Sequence, residues 1–330
     1  MIQLLLLFLL SHFIADFVTQ TDYMINRKRE YWKASKLSKG LTEHILHHQI
    51  ITLIIVVVFY GYDHYLIPSL IIIGGIHYTL DWAKVEFSDH LINKCKAKNT
   101  KKKNIFDYIL EKYTFHFLID QLLHIFTIFI VLRLFQKTAS LGYLIYYIEE
   151  IVFNHAPISG NSKIILLVIF FILLTFGSGY LIAFIFKDIK KDVVKTDEIA
   201  AALEQMSEDE LSHLQSNIKN FDKDFLIEKV WEVKENENNS TKSIKIQYQI
   251  FNEPDNDTSG RYIGYLERVL IAAFVVINAY PGLALLAAFK TLTRFKQLES
   301  KSFAEYYLIG TLISMVIGVV IGGLIKMIII

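Results

Sequence analysis

Long apolar segments recur along the chain and are separated by shorter polar stretches. Five of them approach or reach the roughly 20 residues that a helix needs to cross a bilayer: 2–19, 41–60, 66–83, 115–135 and 164–186. Three more follow toward the C-terminus: 261–280, 283–298 and 304–330. The pattern predicts an all-α fold, a polytopic transmembrane helix bundle with seven or eight spans.

One long hydrophilic stretch, residues 188–260, interrupts the apolar pattern. Within it, 196–220 has helical periodicity and 245–251 alternates like a short strand. About seventy residues make a small domain or an appendage and not an independent enzyme core. We therefore expect a small cytosolic insert that contacts a protein partner. The chain then divides into four parts: a four-helix bundle (1–136), an outer segment with the fifth span (137–187), the insert (188–260) and a C-terminal hairpin with a final span (261–330).

Charge and composition narrow the class of protein. The chain is 53% hydrophobic with a net charge of +1, which favours a membrane protein and argues against a nucleic-acid partner. Cys95 is the only cysteine, so neither a disulfide framework nor a thiolate metal site is expected. Basic loops follow the first and third spans, and the positive-inside rule places both in the cytoplasm, with the N-terminus outside. The same rule favours a hairpin turning at Pro281 over a single crossing of residues 261–289.

Each of the first four apolar segments carries one pair drawn from His and Asp, four residues apart. On a helix this spacing puts both side chains on one face, one turn apart. A random segment of about twenty residues would contain such a pair roughly one time in ten, so four in four is a strong signal. The pairs are His12 and Asp16, His44 and His48, His77 and Asp81, and Asp120 and His124.

The predicted orientation of the spans arranges these pairs in two layers. At 1.5 Å rise per residue, one member of each pair lies within about a turn and a half of the cytoplasmic end of its helix, and the other lies one turn deeper. The deeper layer contains four histidines: His12, His48, His77 and His124. The shallower layer contains Asp16, His44, Asp81 and Asp120.

Five imidazoles and three carboxylates supply up to eight nitrogen and oxygen ligands, enough for one or two divalent cations. Bundle proteins build metal centres from such pairs on facing helices. Ligands without sulfur suit Zn²⁺, Fe²⁺ or Mn²⁺. A bound metal could activate water, and Asp16, Asp81 or Asp120 could act as general base. This predicts a membrane-embedded, metal-dependent hydrolase with its site near the cytoplasmic leaflet.

Further polar residues are candidates for supporting ligands or binding substrate. Four lie within one turn of the pairs: Gln20, His47, Lys84 and Gln121. Four more lie in the C-terminal part: Glu267, Arg268, Lys290 and Arg294. The second set predicts either an internal group of salt bridges or a patch that binds an anionic lipid or a phosphate-bearing substrate.

Other functions use the same residues. The pairs could form interhelical hydrogen bonds worth about 1 kcal/mol each. They could also provide a path for protons or ions in a transporter or channel. A membrane sensor or scaffold signalling through residues 188–260 is a third hypothesis.

The same motifs resemble a family of bacterial inner-membrane proteins known only as a domain of unknown function. The N-terminal resemblance rests on the spacing from His12 to Gln20, on His44, and on the motifs around His77 and Asp120. The C-terminal resemblance rests on three segments: 260–268, 290–295 and 304–311. The resemblance implies a location in the bacterial inner membrane and adds no activity.

Overall fold

A computed structural model describes residues 2–21, 23–24, 27, 39–97, 104–135, 140–153, 158–189, 225–234, 241–250, 259–299 and 301–329. The chain forms two compact units. The first unit combines residues 1–190 with residues 261–330, and the second contains residues 191–260.

The first unit is all-α in its described residues. Its N-terminal helices are α1 (Ile2–Phe13), which continues into a π-helical turn (Ile14–Val18), α2 (Lys39–Phe59), α3 (Leu66–Ala97), α4 (Ile105–Leu110), α5 (Tyr113–Phe135) and α6 (Leu141–Phe153). They are followed by α7 (Gly160–Ile172), a second π-helical turn (Leu173–Gly177) and α8 (Ser178–Ile189). The C-terminal helices are α9 (Ser259–Val276), α10 (Pro281–Thr293), a 3₁₀ turn (Phe295–Glu299) and α11 (Lys301–Ile329).

Five helical segments of the described chain are long and apolar enough to cross a membrane: Lys39–Phe59, Leu66–Lys84, Tyr113–Phe135, Gly160–Ile189 and Phe303–Ile329. Ile2–Val18 and Pro281–Thr293 are apolar but shorter. These segments indicate a membrane protein. The larger number of seven or eight spans stays a prediction, as do the orientation and the bacterial inner membrane.

The distribution of polar and apolar residues on α2 is the reverse of that on a helix in a soluble protein. Its exposed face carries large apolar side chains such as Leu46, Ile50 and Ile54, each 56% exposed. Its buried face carries His44 and His48. A helix that exposes leucine and isoleucine and buries histidine suits contact with lipid on the outside and with a polar centre on the inside.

α1 is the central helix of the N-terminal bundle. Leu4, Leu7 and Phe8 are almost completely buried, and α2, α5 and α7 all pack against this helix. A helix that is apolar all round is buried all round. The central position explains how a short helix can place His12 and Asp16 among three neighbours.

Asp188 fixes the start of α5, the helix that carries Asp120 and His124. Its carboxylate accepts hydrogen bonds from the backbone N–H groups of Tyr113 (2.7 Å) and Thr114 (2.9 Å). The first N–H groups of a helix have no partner within the helix, and a carboxylate at that end also interacts favourably with the helix dipole. Asp188 thereby ties the end of α8 to the beginning of α5.

Arg268 stabilises the π-helical turn between α7 and α8. It is 3% exposed, and its guanidinium donates to the carbonyl oxygens of Leu174 (2.7 Å) and Thr175 (3.0 Å). A π-helical turn departs from the regular pattern of helical hydrogen bonds. Two carbonyl groups in this turn therefore accept buried hydrogen bonds from a side chain of α9.

The chain reverses direction between α9 and α10. Asn278 adopts a positive φ of 59° in the turn, and Pro281 occupies the first helical turn of α10, where its missing N–H removes no hydrogen bond. After the reversal, Lys290 Nζ lies 2.6 Å from Glu267 Oε2. Lys290 of α10 therefore faces Glu267 of α9, and the crossing of the membrane by this hairpin stays a prediction.

The second unit contains a two-stranded antiparallel hairpin. β1 (Phe225–Lys234) pairs with β2 (Thr241–Ile250), with Phe225 opposite Ile250. The strand expected at 245–251 falls largely within β2, whereas β1 was not anticipated. The helix expected at 196–220 lies outside the described residues.

A glycine allows α11 to approach α9 closely. A Cβ added at Gly322 would lie 2.8 Å from the backbone Cα of Ala272, whereas one added at the adjacent Gly323 would meet nothing within 4 Å. We predict that Gly322→Ala destabilises the protein by about 1–3 kcal/mol through overpacking. The check is the thermal unfolding midpoint of the purified protein in detergent.

Gly323→Ala is the matched control, because both substitutions raise helix propensity equally. It should leave the midpoint unchanged or raise it. Equal midpoints for the two variants would show that α9 and α11 do not cross at Gly322.

Candidate metal centre

Four helices bring the predicted histidines and aspartates into one buried cluster. The four histidines of the deeper layer lie on α1, α2, α3 and α5, and each is at most 4% exposed. The ring centroid of His77 is 4.1 Å from that of His124 and 4.5 Å from that of His48. The His12 ring lies 5.3–5.6 Å from all three. Helical spacing and the opposite directions of successive spans predicted this grouping, and the structure brings the four rings together.

Asp16 is the carboxylate at the centre of the first half of the cluster. It lies in the π-helical turn that follows α1, and Thr19 closes this turn with a backbone hydrogen bond to Ile14. Asp16 Oδ1 is 3.1 Å from His48 Nε2 and 3.6 Å from His44 Nε2. The other oxygen, Oδ2, is 3.5 Å from Nε2 of the histidine one turn earlier, His12.

Asp81 is the carboxylate at the centre of the second half of the cluster, as Asp16 is in the first half. Its Oδ2 lies 3.5 Å from His44 Nε2 and 3.8 Å from His77 Nε2. Its Oδ1 lies 3.6 Å from His124 Nε2. His44 is 1% exposed and contacts both Asp16 and Asp81, so it joins the two halves.

Three of these separations join residues that could share an ion: Asp16 with His44, Asp81 with His77, and Asp81 with His124. Most of the nitrogen-to-oxygen distances are 3.5–3.8 Å, longer than a hydrogen bond. Two ligands that are each 2.0–2.2 Å from a tetrahedral zinc ion lie about 3.4 Å from each other. Among the described residues, two groups could hold a metal ion: Asp16, His44, His48 and His77, and a second group of His77, Asp81 and His124. His12 and Asp120 border these groups without belonging to either.

The local structure of α5 orients His124 as a ligand. Its Nδ1 lies 2.7 Å from the backbone carbonyl oxygen of Asp120. A carbonyl oxygen only accepts hydrogen bonds, so Nδ1 must carry the proton. The lone pair is then on Nε2, the atom that faces Asp81, as in metal-binding histidines whose other nitrogen donates to a carbonyl group.

Asp120, Lys84 and Gln121 lie at one edge of the cluster. Lys84 Nζ donates to Asp120 Oδ2 at 2.6 Å, and the lysine side chain is 41% exposed. Gln121 Nε2 donates to Asp16 Oδ2 at 3.1 Å. Lys84 and Gln121 were predicted to assist the pairs, and the structure places both on carboxylates of the cluster.

A small cavity borders the histidines on the opposite side from Lys84. It has room for roughly one water molecule, and its polar lining comes from three residues besides the histidines: Gln49, Thr52 and Thr127. Thr52 also lies 2.9 Å from Ser11, hydroxyl to hydroxyl. The hydroxyls of Ser11 and Thr52 were not predicted from the sequence, although Thr52 follows His48 by one helical turn and continues the polar stripe.

The remaining N-terminal candidates are close in the chain to residues of the cluster. Gln20 follows the π-helical turn and is partly buried, and His47 is partly buried beside His48 on α2. Of the C-terminal candidates, Arg268 binds the carbonyl groups of the second π-helical turn, and Lys290 pairs with Glu267. Nη1 of Arg294 donates a hydrogen bond to Oε1 of Gln297 at 3.3 Å, and Gln297 lies in the exposed 3₁₀ turn. One ion pair, between Glu267 and Lys290, is therefore present among these candidates. Anion binding by these residues stays a prediction.

The comparison with protein families covers the cluster. Residues 4–152 match the model of one family, "Protein of unknown function (DUF3307)". The predicted resemblance is thus confirmed for the segment that carries all eight paired residues. The C-terminal motifs at 260–268, 290–295 and 304–311 lie outside the match. No curated protein and no solved structure matches the chain significantly.

The geometry predicts which histidines control metal content. His77 belongs to both groups that could hold an ion, so His77→Ala should remove most or all bound metal. Elemental analysis of the detergent-purified protein measures the metal-to-protein ratio.

His64 provides the matched histidine control, because it lies in the exposed turn before α3. We expect His64→Ala to retain the parental metal-to-protein ratio. A parent protein that contains no transition metal and takes up none when metal is added would contradict the metal centre.

Proposed function

We propose that the protein is a membrane-embedded, metal-dependent hydrolase. The observation that carries the proposal is the set of imidazole and carboxylate atoms 3.5–3.8 Å apart in the bundle core. With neutral imidazoles, the described cluster has three carboxylates and the single ammonium of Lys84, a formal charge of −2. One divalent cation balances that charge.

Nitrogen and oxygen ligands favour Zn²⁺, Fe²⁺ or Mn²⁺ as the ion. When bound, such an ion lowers the pKa of a coordinated water to near 7 and polarises a carbonyl or phosphoryl oxygen. In our proposal, Asp16, Asp81 and the surrounding histidines hold one or two ions. His44 lies between the two carboxylates and orients both halves of the centre.

Asp120 is our candidate for the general base. It belongs to neither group of potential ligands, so its carboxylate does not have to bind an ion. Its Oδ1 lies 3.6 Å from His124 Nδ1, next to the second group. Asp120 would accept the proton from the attacking water and later donate it to the leaving group.

Lys84 marks the side from which substrate enters. Its side chain is 41% exposed, whereas the side chain of its partner Asp120 is 7% exposed. The pair therefore extends from the buried cluster to the surface. An ammonium at this position would stabilise negative charge that develops on an ester or phosphoryl oxygen during hydrolysis.

Transport of protons or ions is a second candidate function. The cavity on the far side of the histidines, with Thr52, Thr127 and Gln49 in its lining, supports it because it extends the polar region deeper into the bundle. Under this hypothesis, purified protein in liposomes would carry metal or protons across the membrane. The hydrolase hypothesis requires no such flux.

Substitution of Asp120 separates metal binding from hydrolysis. We predict that Asp120→Asn keeps the metal content of the parent but lowers turnover about 10²–10⁴-fold, the usual contribution of a general base. The assay uses chromogenic carboxylate esters and phosphate esters with metal-loaded protein. Chelation should abolish turnover, and added metal should restore it.

His77→Ala is the comparison variant, because it should lose metal and turnover together. Metal-loaded protein that hydrolyses neither class of ester would contradict the hydrolase. Flux of metal or protons in liposomes would then favour the transporter.

A further inference from the structure

A second polar cluster lies among the C-terminal helices, at residues that the metal centre does not use. Glu267 of α9 and Lys290 of α10 form an ion pair at 2.6 Å, with side chains only 11% and 21% exposed. Ionisable groups in a membrane-spanning region are energetically costly and are a default sign of function. Here the pair lies beside apolar side chains of α9 and α10 such as Ile271, Leu283 and Leu286.

Three hydroxyl groups accompany this pair along one face of α11. Tyr307, Thr311 and Ser314 are spaced at i, i+4 and i+7, which places them on one side of the helix. Their oxygen atoms are buried, and none has a hydrogen-bond partner among the described residues. Ser314 is 4% exposed.

Several other hydroxyls in the bundle bond within their own helix, although Ser69 and Thr114 also lack a hydrogen-bond partner among the described residues. Thr52, Thr175, Ser178 and Thr291 each donate to a carbonyl oxygen one helical turn earlier. This local bond is the usual way in which Ser and Thr satisfy their hydroxyl groups inside helices. Because Thr311 and Ser314 lack it, they keep both a donor and an acceptor for another molecule.

A cavity joins the ion pair to these hydroxyls. Its polar floor consists of Glu267, Lys290, Thr311 and Ser314, and its apolar walls include Ile271, Leu283, Leu286 and Met315. The floor has room for about one water-sized group. No residue of α10 is buried, so the cavity lies at the edge of the helix assembly, where an apolar chain can reach it.

The charges of the floor favour a neutral ligand. An anion would be repelled by Glu267, and a cation would be repelled by Lys290. A hydroxyl group can donate to the carboxylate and accept from the ammonium or from Ser314 at the same time. We propose that this cavity binds the hydroxyl head of an uncharged lipid alcohol, whose apolar body lies along Leu283, Leu286 and Met315.

The test compares two lipids that differ only in the head group. Full-length protein in detergent is titrated with dioleoylglycerol and with the phosphatidic acid of the same acyl chains, and bound lipid is counted by native mass spectrometry. We expect one saturable equivalent of dioleoylglycerol and weaker binding of the phosphatidic acid. The double variant Thr311→Val with Ser314→Ala removes two hydrogen-bonding groups and should weaken dioleoylglycerol binding about tenfold.

Thr291→Val is the matched control. Thr291 lies on α10, and its hydroxyl donates to the Ala287 carbonyl oxygen at 2.8 Å, so it should not contribute to lipid binding. Metal content is also measured on every variant. A metal content equal to that of the parent shows, independently of lipid binding, that the N-terminal bundle is intact.

Three results would overturn the proposal. Tighter binding of the phosphatidic acid would make the cavity an anion site. Equal dioleoylglycerol affinity in the double variant and the parent would show that the lipid associates elsewhere. Absence of a saturable equivalent would show that the cavity takes no lipid alcohol.

Discussion

The need to satisfy ionisable side chains inside an apolar bundle is the constraint on which the rest of this structure depends. Imidazoles and carboxylates are costly in a membrane unless they are paired, hydrogen-bonded or bound to an ion. The protein collects five histidines and three aspartates from four helices into contact with one another. Exposed positions on α2, α3 and α5 are occupied by large apolar residues. These three helices are therefore oriented by their polar faces.

Several contacts far from the cluster serve this arrangement. α1 is buried on all sides, and its π-helical turn brings Asp16 toward histidines of α1 and α2. Asp188 holds the first turn of α5, from which Asp120 and His124 extend into the centre. Arg268 holds the second π-helical turn, between α7 and α8. Asp188 and Arg268 thus form hydrogen bonds with backbone groups that lack a regular helical partner. Asp188 does so at the start of α5, and Arg268 does so in the second π-helical turn.

Much of the centre could be predicted from the sequence, because helical spacing is a local property. A separation of four residues is enough to place His12 with Asp16, or His77 with Asp81, on one face. The opposite directions of successive spans then predicted which histidines share a layer. The grouping of His48, His77 and His124 in the structure follows that prediction.

Other features could not be derived in this way, since they depend on contacts between distant segments or on irregular backbone. The link between Lys84 and Asp120 requires the relative height of α3 and α5, which spacing within one helix does not give. The π-helical turn at Asp16 has no marker in the hydrophobic pattern. The sequence predicted either a salt bridge or anion binding for Arg268, yet its partners are carbonyl groups more than ninety residues earlier.

Anomalous X-ray scattering from crystals of the metal-loaded protein would locate the ion directly. We expect a peak within about 2.3 Å of nitrogen or oxygen atoms from Asp16, His44, His48 and His77, or from His77, Asp81 and His124. A peak confined to surface residues would contradict this expectation, and so would the absence of any peak in the bundle core.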